Sequence, residues 1–133
     1  MLIFVMIACM QKELSPKLTK RIGTDFSKTI VQSSDYTLFR WNDELQEPKK
    51  LGPGKQLRIQ KFLRNSNNYV FGANVRCRLR PNHALVMKNK GNSYRILLEN
   101  NNNCPKLKFV SPTEKTVVSL RPKAWKNLQK LLP

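Results

Sequence analysis

From Tyr36 onward, apolar and polar residues alternate in short runs separated by turn-forming residues, the two-residue period of half-buried β-strands. YTLFRW (36–41), KQLRIQKFL (55–63) and YVFGANVRCRLR (69–80) read as strands, with LGPG and RNSNN between them as turns. HALVMKN (83–89) and SYRILLEN (93–100) read as a hairpin turning at KGN, followed by a polar break, NNNNCP. KLKFV sets Lys106 and Lys108 against Leu107 and Phe109, and TVVSL is β-branched enough for a last strand. The sharpest alternation is Val75 to Arg80, which predicts Val75, Cys77 and Leu79 on one face and Arg76, Arg78 and Arg80 on the other.

The period changes after Leu120. Pro122 suits the first turn of a helix, and Ala124, Leu128 and Leu131 then mark one face, with Trp125 and Leu132 beside it. Trp125 is open to two readings, a core residue on the helix face or part of a binding surface. Residues 11–34 are rich in Lys, Ser and Thr, include Pro16 and Gly23, and read as a linker. The organisation predicted is a weakly ordered arm over residues 1–34 and a basic β-rich domain over 35–133. Its fold class is α+β, mainly β: an antiparallel sheet with a C-terminal helix packed on one face.

Charge narrows the class of partner. The 133 residues hold 25 Lys and Arg against 8 Asp and Glu, a formal net charge of +17. Self-repulsion of that size is offset by packing or by a polyanion, with nucleic acid the leading class of partner and an anionic membrane the second. No Asp or Glu occurs between Glu47 and Glu99, so the excess charge lies in the part that reads as folded. In a strand, neighbouring arginines of the 76–80 run would stand about 6.8 Å apart, a spacing on which an extended nucleic-acid strand could lay successive phosphates.

Other chemistry is sparse. His83 is the one histidine, so imidazole triads and multi-histidine metal sites are excluded. LGPGK lacks the length and the Ser or Thr of a phosphate-binding loop, and Asp43, Glu44 and Glu47 read as a solvated polar loop. No cofactor, metal or enzymatic activity is expected. Cys9, Cys77 and Cys104 are odd in number and lack close pairing, which suggests neither a disulfide framework nor a zinc site and fits a reducing, intracellular compartment. MLIFVMIAC is too short to span a bilayer and lacks a positive leader. Its MIAC could pass for a lipoprotein cleavage site that would leave Cys9 lipidated, which gives a third reading: a lipidated or secreted basic protein on anionic surfaces.

Residues 82–132 resemble the single-stranded DNA-binding domain of the transcriptional coactivator called positive cofactor four. Lys90 and Gly91 sit at its hairpin turn, Glu99 falls where the family has a Glu, and Ser119, Leu120, Pro122, Trp125 and Leu128 keep its closing spacing. Leu98 and Asn100 depart from the family's Arg and Tyr. The resemblance implies a curved antiparallel sheet backed by the helix, and a homodimer that binds unpaired DNA in basic channels. It matches Trp125 to the family's Trp at the DNA surface, approached by the strand of Lys106, Lys108 and Phe109.

The expectation is a non-enzymatic binder of single-stranded nucleic acid, DNA before RNA, acting in transcription or in protecting exposed strands. Arg76, Arg78, Arg80, Lys88, Lys90, Arg95, Lys106 and Lys108 are the phosphate candidates, and Tyr94, Phe109 and Trp125 the stacking candidates. The alternative is a structural RNA-binding protein of a ribonucleoprotein, such as a small ribosomal protein.

Overall fold

The computed structural model describes residues 15–72, 76–100 and 104–132. Leu18, Ile22, Phe26 and Ile30 recur every fourth residue, the spacing that aligns side chains on one helical face. They lie on α1 (Pro16–Ile22) and α2 (Thr24–Gln32), and all four are buried. Pro16 opens the first helix, and Gly23, at φ +94°, turns the corner between the two in a conformation that side-chain-bearing residues rarely adopt.

The described part of the expected N-terminal arm is therefore corrected to two packed helices. Its polar residues had hidden this, yet they serve the packing: buried Ser27 donates to Thr19 Oγ1 at 2.9 Å, and buried Thr29 to the Asp25 carbonyl at 2.8 Å.

KQLRIQKFL is a second correction, since it lies within α3 (Pro53–Arg64). A strand would have placed Leu57 and Ile59 on the same face. Instead Ile59, Phe62 and Leu63 are buried at helical spacing while Leu57 is 49% exposed. Tertiary contacts favour the helix: Gln60 Nε2 donates to the carbonyls of Ile30 and Val31 at 2.9 and 2.8 Å, satisfying acceptors at the end of α2. The buried Tyr36 hydroxyl also donates to the Ile30 carbonyl, and Tyr69 donates to the Leu63 carbonyl of α3 at 2.7 Å. Burial pushes both phenols well above their ordinary range.

The remaining elements are β1 (Tyr36–Trp41), β2 (Leu45–Lys50), a 3₁₀ turn (Ser66–Asn68), β3 (Tyr69–Val70), β4 (His83–Asn89), β5 (Asn92–Leu98), β6 (Lys106–Val110), β7 (Lys115–Leu120) and α4 (Pro122–Leu131). The strands form one open, curved, seven-stranded antiparallel sheet in the order β2-β1-β4-β5-β6-β7-β3. Its central hairpin turns at Lys90 and Gly91, both at positive φ, the two-residue turn that suits the right-handed twist of paired strands. The α+β class and the C-terminal helix on one face stand as expected. The YVFGANVRCRLR strand does not: among its described residues only Tyr69–Val70 pairs, residues 76–80 form no strand, and Val75 lies outside the described residues.

Alternation along the strands sorts the sheet into two faces. One carries Tyr36, Leu38, Leu85, Met87, Tyr94, Ile96, Leu107, Phe109 and Val118, which join buried residues from all four described helices in one core. The other carries Ala84, Val86 and Leu97, packed by Phe39, Trp41, Leu45 and Val110 from the strands themselves. Every described helix thus lies on one side. Among the described residues no helix is long and apolar enough to cross a membrane.

Phe26 tests the integration of the N-terminal helices, because its ring meets Tyr94 and Phe109 edge-on at 5.1 and 5.4 Å. Phe26→Ala is expected to lower the free energy of urea unfolding by about 3–5 kcal/mol, whereas a loosely attached arm would leave it nearly unchanged.

Candidate nucleic-acid interface

The face without described helices is built by register. Thr37, Val86, Arg95, Val110 and Lys115 lie opposite one another on successive strands β1, β4, β5, β6 and β7. Phe39, Ala84, Leu97, Lys108 and Val117 make the next row. The side chains therefore grade across the sheet, from aromatic and apolar on the β1 side to basic and partly apolar on the β6–β7 side. Arg95 sits at the boundary, its guanidinium 5.7 Å from the centre of the Trp41 ring. A half-buried cation over an indole face is worth about 0.5–2 kcal/mol and holds both groups in one orientation.

Lys108, half-buried, pairs across to Leu97 and Val117, and exposed Lys88 pairs with Ser93 on the same face. Lys106 lies two residues before Lys108, about 6.8 Å along the strand. Its ammonium donates to the Cys77 carbonyl at 2.8 Å, so it also anchors the segment between β3 and β4. Lys90 stands in the hairpin turn at the end of β4, exposed.

Arg76, Arg78 and Arg80 are exposed while Cys77 and Leu79 are half-buried, so the predicted alternation persists without a strand ladder. The segment is fastened at two further points. Cys77 is bonded to Cys104 by a disulfide spanning 27 residues, and the Arg80 amide donates to buried Glu99 at 2.6 Å. The disulfide corrects the expectation of unpaired cysteines: separation along the chain concealed a pair that the sheet brings together at the start of β6.

The three stacking candidates are corrected as well. Tyr94 and Trp125 are each 5% exposed and Phe109 1%, all within the helix-side core. Phe109 follows from its own strand, because the alternation that turns Lys106 and Lys108 outward turns Leu107 and Phe109 inward. Trp125 shares the buried face of α4 with Ala124 and Leu128, which settles its two readings in favour of the core.

The aromatic residues of the open face are Phe39 and Trp41, both half-buried. Their signal was present in YTLFRW, where Tyr36 and Leu38 alternate with Thr37, Phe39 and Trp41. Lys115 was missed because it precedes the apolar part of its strand, and only the register with Val110 aligns it with Arg95. Comparison with protein-family models, with curated proteins and with solved structures finds no match.

At the start of β4, His83 Nδ1 lies 2.8 Å from Asn82 Oδ1, which also accepts from the Asn100 amide at 2.8 Å. Burial, with the nearby Arg40 charge, holds the His83 imidazole below its ordinary value. The folded state therefore favours the neutral ring. Stability is full above about pH 6.5, the ordinary imidazole value, and falls as acid carries the pH down through the folded value. His83→Gln is expected to flatten that part of the profile of unfolding free energy against pH.

Proposed function

We propose that this protein is a non-enzymatic binder of single-stranded nucleic acid, DNA in the first instance, and that the strand lies on the open face of the sheet. The observation that carries this reading is the Arg95–Trp41 stack at the junction of an aromatic and a basic region. Phosphates run beside Lys108, Lys115 and Lys88, while unpaired bases turn toward Phe39 and Trp41. Stacking on aromatic rings and guanidinium planes selects for unpaired bases without demanding a sequence. A duplex keeps its bases stacked on one another and offers mainly its phosphates. The coactivator resemblance adds transcription as the setting and a homodimer as the assembly, now with Trp41 in place of Trp125 as the stacking residue.

A second reading gains from the Cys77–Cys104 disulfide, because such bonds persist in oxidising compartments. It is an exported basic protein that binds anionic surfaces, lipid headgroups among them, through the same cations. Vesicles with and without anionic lipid discriminate: tight binding to anionic vesicles with none to oligonucleotides favours the second reading.

Binding of an unstructured DNA oligomer, its RNA equivalent and the matching duplex at several salt concentrations tests the first. The single strands are expected to bind more tightly than the duplex, with the four cations Lys88, Arg95, Lys108 and Lys115 contributing roughly −3 to the log–log salt slope. Trp41→Ala is expected to cost about 1–3 kcal/mol of binding while the protein remains folded. Trp125→Ala is expected to act through stability, lowering unfolding free energy by about 3–5 kcal/mol. Equal affinity for single and double strands, indifferent to Trp41, would overturn the stacking surface.

A further inference from the structure

The chain leaves β3 at one edge of the sheet and enters β4 in its interior, between β1 and β5. Along the described part of that passage, exposed Arg76, Arg78 and Arg80 gain no strand partner. What holds them is the Cys77–Cys104 disulfide, the Lys106 ammonium on the Cys77 carbonyl, and the Glu99 carboxylate on the Arg80 amide. The disulfide is the covalent member of this set. Cys104 is buried, yet neither cysteine is a member of the two apolar clusters that pack the faces of the sheet.

We propose that this disulfide is a redox clip: closed, it fixes the arginine segment beside the basic strands as a continuation of the polyanion surface, and open, it releases the segment. The inference deepens the nucleic-acid reading and rests on it. The chemistry is thiol–disulfide exchange with a small thiol or dithiol reductant. Cys77 is half-buried and Cys104 only 1% exposed, so the reductant's thiolate attacks Cys77 Sγ, forming a mixed disulfide, and the Cys104 sulfur leaves as thiolate and takes a proton. A second reductant thiol resolves the mixed disulfide. Two electrons and two protons pass to the protein's sulfurs, and the reductant leaves as its own disulfide.

Release raises the entropy that the arginines lose when they contact phosphate, so a reduced protein binds a strand more weakly and with fewer simultaneous ion contacts. Lys106 keeps its place on β6 in both states. The loss is thus confined to the segment.

The test compares oxidised and dithiothreitol-reduced full-length protein, with thiol counting to verify the state, and adds the Cys77→Ser/Cys104→Ser variant as a permanently open form. Limited trypsinolysis reads the clip without nucleic acid. Cleavage after Arg76 and Arg78 is expected to accelerate on reduction, with Pro81 protecting the bond after Arg80. Titration with an unstructured DNA oligomer reads the consequence, and the dissociation constant is expected to rise about 3- to 10-fold on reduction while the salt slope shrinks by about 1 to 2. Arg76→Ala/Arg78→Ala/Arg80→Ala should bind identically in both redox states. Unchanged tryptic cleavage overturns the clip, and accelerated cleavage with unchanged affinity overturns its control of binding. Accelerated cleavage in a protein that binds no oligomer even when oxidised supports the clip as a mechanical device and overturns the nucleic-acid reading instead.

Discussion

Phe26 meets Tyr94 and Phe109 edge-on, joining α2 to the central strand β5 and its neighbour β6. Around that contact Leu18, Ile22 and Ile30 complete the seat of the N-terminal helices, while Ile59, Leu63, Trp125 and Leu128 bring in α3 and α4. The consequence is one-sided packing. A chain of this charge concentrates its apolar area on one face of the sheet and leaves the other to a mixture of cations and half-buried aromatics. The open face exists because the helical layer consumes Tyr94, Phe109 and Trp125.

On that open face, small Ala84 lies between Phe39 and Leu97 in the cross-strand register, under the layer formed by Phe39, Trp41 and Leu45. Trp41 can then meet Arg95, which separates the apolar side of the face from the lysines of β6 and β7. Fixed rings and fixed cations lower the ordering cost of binding an extended polyanion. At the end of the sheet, the disulfide, Lys106 and Glu99 hold a segment that has no ladder of its own. Covalent and polar anchors there take the place of strand pairing.

Much of the sheet was legible from residues 83–120, where alternation was regular and Lys-Gly marked the turn. The terminal helix was legible from Pro122 and the spacing of Ala124 and Leu128. The N-terminal helices were obscured because Gly23 interrupts them and their stripe is narrow, with Leu18, Ile22, Phe26 and Ile30 at every fourth residue and Val31 alone beside them. In α3, Leu57, Ile59, Phe62 and Leu63 fit both periods in part, and only the seat that α3 finds beside α2 decides between them. The candidate surface divided along the same line. Local alternation reveals outward cations such as Lys108, whereas the neighbour relations of Arg95 with Trp41 and Cys77 with Cys104 arise from strand order, which no short run encodes.

The central claim is that a strand of nucleic acid meets the face opposite the helices. The chain holds two tryptophans, one half-buried on that face and one buried in the core, so each side carries its own indole reporter. The decisive measurement is an NMR titration of the two indole N–H signals with an unstructured DNA oligomer. The open-face site predicts that the Trp41 signal shifts with saturation while the Trp125 signal stays in place. A saturable shift at Trp125 with Trp41 unmoved would contradict it.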